Sequence, residues 1–265
     1  MSGTSIQNEP LILRDDQDGV ATLTLNRPKA FNALSRPVLA ELEAQLDTIA
    51  EDRSVRVVVL TGHGPAFSAG HDMKEMAADR SEAALTELFS HCSRVMVKLA
   101  RLPQPVVARV DGIAAAAGCQ LVAACDLAIC TEESRFATSG VKFGLFCATP
   151  AVALRRAVPQ KAALEMLFTG DFIDAAEALR LGLVNRVVAK AELDGAVADL
   201  AARIAEKPFD VIALGKRAFH DEAGMGLEEA YRHATGVIVQ NATGPDFGEG
   251  VAAFTEKRKP VWPNG

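Results

Sequence analysis

The side chains able to do chemistry gather in a few short stretches. PAFSAGHDMKEM (Pro65 to Met76) brings Ser68, His71, Asp72 and Lys74 close together, and GIAAAAGCQL (Gly112 to Leu121) sets Cys119 and a lone amide, Gln120, against four consecutive alanines. FATSGVKFG (Phe136 to Gly144) adds Ser139 and Lys142, with Cys147 just beyond. A nucleophile, a proton acceptor and a point charge are all represented, yet no spacing assembles them. Asp72, Asp111 and Asp126 fall at turn or helix-end positions, where carboxylates commonly cap backbone N–H groups. His63, His91, His220 and His233 share no regular spacing with carboxylates or cysteines, so no metal site is expected. The five cysteines lack a CxxC pair and sit mostly in apolar segments, as reduced core cysteines do, with Cys147 a candidate pocket thiol. There is no GxSxG elbow and no glycine-rich dinucleotide fingerprint after a strand.

Composition narrows the partners. The 265 residues are 49% apolar, enough for one large domain or a domain with an appendage. Lys plus Arg number 28 against 34 Asp plus Glu, a net charge of −6 without a basic block, so neither nucleic acid nor an anionic membrane is an expected partner. The apolar runs are shorter than a membrane span. The opening MSGTSIQNEPLILRDDQDG has no apolar signal core and carries acidic residues that a mitochondrial presequence would avoid, so a cytoplasmic protein is expected.

Strands and helices alternate around these stretches. Val20 to Leu25 alternates as a half-buried strand, with Ala21, Leu23 and Leu25 on one face. Ser35 can cap a helix that has Pro37 in its first turn and Leu39, Leu42, Leu46 and Ile49 at helical spacing. Val55 to Leu60 is a second strand, Leu85 to Leu99 marks a long amphipathic helix, and Pro105 to Val110 and Leu127 to Cys130 are further strands. A capping box at Asp174 to Glu177 starts a helix that stops at Gly182, followed by a strand from Leu183 to Val188. From about Ala191 the pattern is wholly helical. The expected class is α/β, with a core over 1–190 and a helical region over 191–265.

Three of these stretches, PAFSAGHDMKEM, VDGIAAAAGCQLVAACDLAI and the tail EGVAAFTEKRKPVW, resemble the crotonase (enoyl-CoA hydratase/isomerase) superfamily, in particular its enoyl-CoA hydratase domain-containing subgroup. LNRPKAFNAL and LFTGDFIDAAEALRLGLVNRVV extend the likeness over essentially the whole chain. The resemblance implies a spiral of β-β-α turns, a helical C-terminal region that trimerises, and a homotrimer or a homohexamer built as a dimer of trimers. It implies an acyl-CoA substrate, with coenzyme A as part of that substrate and no separate cofactor.

Carried over by position, the backbone N–H groups of His71 and Ala117 bind the thioester oxygen, and donors of this kind stabilise an enolate or a tetrahedral oxyanion. Lys29, Ala30, Ala69, Asp72, Met73, Lys74 and Gly118 match positions along the CoA thioester, and Phe254 and Lys257 match positions that close the nucleotide site. The family's two catalytic glutamates fall at Gln120 and Gly140. An amide does not exchange protons usefully near neutral pH and glycine has no side chain, so ordinary hydration is expected to be weak. Three alternatives stay open: a decarboxylase resembling methylmalonyl-CoA decarboxylases, with the His71 imidazole beside the thioester; a non-catalytic acyl-CoA binding protein; and a thioesterase-like or other serine or cysteine hydrolase drawing on Ser68, Ser139, Cys119 or Cys147.

Overall fold

The computed structural model describes residues 9–263. Residues 1–8, part of the stretch from which the compartment was read, lie outside the described residues.

The chain opens with a hairpin, β1 (Ile12–Gln17) and β2 (Val20–Leu25), joined by Asp18-Gly19 with both residues at positive φ. That is the two-residue turn an Asp-Gly pair favours, because its twist matches the flanking strands. Strands β3 (Val57–Gly62), β5 (Val106–Val110), β7 (Leu127–Thr131) and β10 (Arg186–Val188) extend it into a six-stranded sheet of order β1-β2-β3-β5-β7-β10, parallel from β2 onward. A second sheet of very short strands, β4 (Ala66–Ser68), β6 (Ile113–Ala115), β8 (Arg135–Ala137) and β9 (Ile173–Asp174), runs in that order. Three successive windings, begun by β3, β5 and β7, each lay one strand in the large sheet, one in the small sheet, then helix, which is the β-β-α spiral the resemblance implied.

The helices are α1 (Arg36–Ala50), α2 (Met73–Ala78), α3 (Glu82–Arg101), α4 (Ala117–Ala124), α5 (Ala148–Ala157), α6 (Gln160–Thr169) and α7 (Ala175–Leu181), with α8 (Leu193–Ala205), α9 (Phe209–Glu222), α10 (Leu227–Ala242) and α11 (Pro245–Glu256) completing the chain. The inner strands of the large sheet, β3, β5 and β7, are buried on both faces, as parallel strands are, while β1 at the edge is largely exposed. Val58, Leu60, Val106 and Ala108 join the main core, which takes in Leu39, Leu42, Leu46 and Ile49 of α1 and Leu88, Cys92, Val95 and Leu99 of α3. Val57, Val59, Val107 and Ile129 turn the other way, against Leu193, Val197 and Ala201 of α8.

Some local expectations need adjusting. Ser35 occupies the N-cap of α1 without a side-chain cap, and the Arg36 N–H donates instead to the Glu75 carboxylate at 3.1 Å. Asp174 does accept the Glu177 N–H at 2.8 Å, but Glu177 pairs with Arg180 and leaves the capping box one-sided. The last strand is shorter than Leu183 to Val188 because Leu183 folds back to donate its N–H to the Ala178 carbonyl, and strand pairing with β7 runs over Arg186–Val188.

Candidate active site

The site is built where the small sheet meets the start of α4. Gly118 has no side chain for a steric reason: a Cβ there would lie 2.1 Å from the Ser68 carbonyl oxygen. The first turn of α4 therefore lies directly on β4. Gly70 answers from the other side, with φ +93° and a hypothetical Cβ 2.9 Å from the Ala115 carbonyl oxygen and 3.1 Å from the Ala117 nitrogen. The loop Ser68 to His71 and the segment Ala115 to Gly118 are thus in backbone contact, and His71 and Ala117 belong to the two segments that meet there.

Ala116 directs the second of these. It sits at the N-cap of α4 with φ +48° and ψ −116°, a conformation an L-residue adopts at a cost of about 1–3 kcal/mol. Its own N–H is spent on the Ala137 carbonyl at 2.8 Å. The Ala117 N–H that follows is the first of the orphan donors at the start of a helix, where the partial charge is positive. Among the described residues no hydrogen bond takes the N–H of Ala117 or of His71. Backbone strain held by surrounding contacts thus lies next to two uncommitted donors.

The side chains around this pair are mostly neutral. The His71 imidazole is pushed below its ordinary pKa by burial, only partly opposed by the Leu34 carbonyl and by Glu75. Its ring stands edge-on to Phe89 at 5.3 Å, and Phe89 lines a cavity of about 900 Å³ along α3 with Leu85, Val97 and Thr149. Gln120 is buried in the first turns of α4, and among the described residues its Oε1 has no hydrogen-bond partner, as is true of His71 Nε2 and of Thr138 Oγ1. Gly140 lies in a 3-10 turn, Ser139–Phe143, where a Cβ would sit 2.4 Å from the Leu145 carbonyl oxygen and 2.8 Å from Cys147 Sγ. The Gly140 N–H donates to that sulfur at 3.3 Å.

The other residues singled out from the sequence divide into two groups. Ala69, Asp72, Met73 and Lys74 run on from the donor loop into α2, and Lys29 and Ala30 are brought beside it by the Ala69 N–H donating to the Phe31 carbonyl at 2.9 Å. Lys29, Met73 and Lys74 are exposed. Asp72 caps α2, accepting from the Lys74 and Glu75 N–H groups and pairing with Arg27 at 3.0 Å. Burial alone would raise its pKa, but Arg27 and the two amides outweigh it and hold the carboxyl below its usual range. Phe254, 86% exposed, and Lys257, in a left-handed C-cap, are on α11, which rests chiefly on α10 and not on this loop.

Of the four residues on which the hydrolase alternative draws, Ser68 and Cys119 are poorly placed to act as nucleophiles. Ser68 is fully buried with its hydroxyl donating to the Asn32 carbonyl, and burial pushes the Cys119 thiol up to about 12. Sequence reasoning missed Ala116 and Asn32. An alanine carries no sign of positive φ, whereas Asn32, also at positive φ, is of a type that tolerates it.

Comparison with known proteins agrees with this architecture. The family described as enoyl-CoA hydratase/isomerase matches residues 15–265. The chain is 43% identical to the enoyl-CoA hydratase domain-containing protein 3, mitochondrial, of Xenopus laevis, over 98% of this chain and 89% of that protein. Crystal structures of an enoyl-CoA hydratase from Mycobacterium smegmatis (53% identity, TM-score 0.94, covering 96% of this chain and 99% of that one) and of human enoyl Coenzyme A hydratase domain-containing protein 3 (44%, TM-score 0.90, 95% and 100%) superpose on it. The chain belongs to the enoyl-CoA hydratase/isomerase family. One expectation is overturned here: the relatives from Xenopus laevis, rat and human are named mitochondrial, which speaks against the cytoplasmic reading. That reading rested on the composition of the first nineteen residues, and the make-up of one short stretch does not decide a compartment.

Proposed function

We propose that this member of the family binds an acyl-CoA thioester and stabilises its enolate, or a tetrahedral oxyanion, between the backbone N–H groups of His71 and Ala117. The observation that carries the reading is the forced backbone approach at Gly70 and Gly118, with the Ala117 N–H left uncommitted after the strained Ala116. Lys29, Ala30, Ala69, Asp72, Met73, Lys74 and Gly118 line the path of the CoA thioester on this reading. Coenzyme A arrives as part of the substrate.

Ordinary hydration is slow on the same reading. A general acid and a general base each contribute about 10²- to 10⁴-fold, and Gln120 and Gly140 supply neither. The deciding experiment is incubation with a mixed acyl-CoA panel followed by mass spectrometry, where hydration, decarboxylation and thioester cleavage give different mass changes. The expected outcome is tight binding with hydration of crotonyl-CoA far below that of a two-glutamate relative. Hydration at a comparable rate, or no binding of any acyl-CoA, overturns the reading.

Assembly belongs to the same proposal. Tyr231 and Ile238 of α10 and Phe254 of α11 are large apolar side chains left 63–86% exposed, which favours a trimer or a dimer of trimers in which Phe254 and Lys257 close a neighbour's nucleotide site. Deleting Gly250 to Gly265 is expected to lower the mass found by light scattering; an unchanged mass places the interface elsewhere.

A further inference from the structure

We infer that Ser68 and Asn32 are positioning residues that aim the His71 N–H, an inference that rests on reading that N–H as a donor to the thioester oxygen. Asn32 is buried at φ +53°, and its side chain is fully engaged: Oδ1 accepts the Arg27 N–H at 2.9 Å, while Nδ2 donates to the His63 and Ala66 carbonyls at 3.0 and 2.7 Å. Its own carbonyl accepts the Ser68 hydroxyl at 2.9 Å, and Ser68 Oγ in turn accepts the Gly70 N–H at 3.2 Å. The Gly70 carbonyl is held by the Leu34 N–H at 2.7 Å.

The peptide that presents the His71 N–H is the one between Gly70 and His71. Glycine at φ +93° does not fix that peptide plane by itself, since it populates both signs of φ. Leu34 holds that plane by its carbonyl and Ser68 holds the preceding plane by the Gly70 N–H, so both sides of the Gly70 Cα are pinned, and both anchors trace to the segment 26–35 that also carries Lys29 and Ala30. Ser68 serves the second donor as well, because its carbonyl and Cβ form the floor on which Gly118 rests. Ser68 is therefore the joint between the two segments, its hydroxyl engaged by the Asn32 carbonyl and the Gly70 N–H and its carbonyl and Cβ by Gly118, and not a nucleophile.

The test uses butanoyl-CoA and free CoA as probes of the full-length protein, since only the first has a carbonyl to meet the donors. Two quantities are read: the ratio of the two affinities, and the infrared C=O stretch of bound butanoyl-CoA, which falls when aligned donors polarise the bond. Loss of alignment in Ser68→Ala is expected to reduce the affinity ratio about tenfold and return the band toward its free position, with CoA affinity unchanged. Asn32→Gly, which keeps the left-handed backbone but deletes the amide, is expected to do the same. If Ser68→Ala does not fold, Ser68→Cys, a weaker donor and acceptor of similar size, is expected to show a partial shift. Folded variants that keep the parent ratio and band overturn the inference alone. A parent protein that leaves the band unshifted overturns the donor reading and the inference with it.

Discussion

The two halves of the candidate site are held in different ways. Around His71 and Ala117 backbone lies on backbone, with glycines at 70 and 118 because a Cβ at either position would approach its neighbours within 3 Å. The segment 139–147, where the resemblance puts a second acid, is a short turn closed by the Leu145 N–H on the Gly140 carbonyl, and it leaves Phe143, Leu145 and Phe146 45–69% exposed. The first half has the build of an electrostatic device, whose strength comes from groups that do not reorganise. The second has no titratable side chain at the position in question. On the proposed reading, polarisation of the thioester is retained while proton transfer is not, and the two functions are separable because they reside on different segments.

The largest effect that could break this contrast is removal of a donor. Ala117→Pro deletes one N–H at the first position of a helix, where proline is tolerated, and is expected to reduce turnover on the acyl-CoA panel by about 10²- to 10³-fold, while Ala117→Ser stays near the parent. Equal behaviour of two folded variants would remove Ala117 from the site.

Rebuilding the second half is the converse test. Gln120→Glu with Gly140→Glu is expected to bring measurable but partial hydration of crotonyl-CoA, followed by loss of enoyl-thioester absorbance, with either single change giving much less. The gain is limited because a side chain at 140 displaces the Leu145 carbonyl, and carboxylates about 1 Å out of place lose rate. A folded double variant no faster than the parent would show that these are not the two acid–base positions.

A smaller effect separates packing from chemistry. Gly118→Ala forces a methyl group onto the Ser68 carbonyl and is expected to cost about 1–3 kcal/mol in thermal or denaturant unfolding. Gly195→Ala, inside α8 with open space around it, is expected to stabilise by about 0.5–1 kcal/mol. If both substitutions are neutral, the close approach at Gly118 is not a constraint.

The smallest expected effect is on pH dependence. The Asp72 carboxyl is held below its unfolded value, so the unfolded state binds the proton more readily, and the stability it contributes is present above the unfolded pKa and lost as pH falls through the lower folded one. Melting temperatures between pH 7 and pH 3 should therefore fall less steeply in Asp72→Asn than in the parent, from a lower starting value. Parallel curves would mean that its partners, Arg27 and the amides of Lys74 and Glu75, do not favour the charged form.

Local pattern determined much of this protein. Alternation identified β2, β-branched runs identified β3 and β5, and helical spacing identified α1 and α3, since each of these buries one face and periodicity records which one. Motif resemblance singled out the loop Ser68 to His71 and the start of α4, which the fold brings into contact. The strands of the small sheet were not legible from periodicity, because two or three residues show no period and exist only by pairing with one another. Asp18-Gly19 was a turn signal in plain view, yet β1 beside it reads as a polar loop until β2 supplies its partner. Ala116 is the clearest case of what tertiary structure decided. Nothing in four consecutive alanines marks one of them for positive φ; the Ala137 carbonyl on one side and the packing of Gly70 and Gly118 on the other impose it. A sequence can state which residues are small enough to approach, but the direction of a backbone N–H is set by the contacts on both sides of its peptide, and those come from segments far apart in the chain.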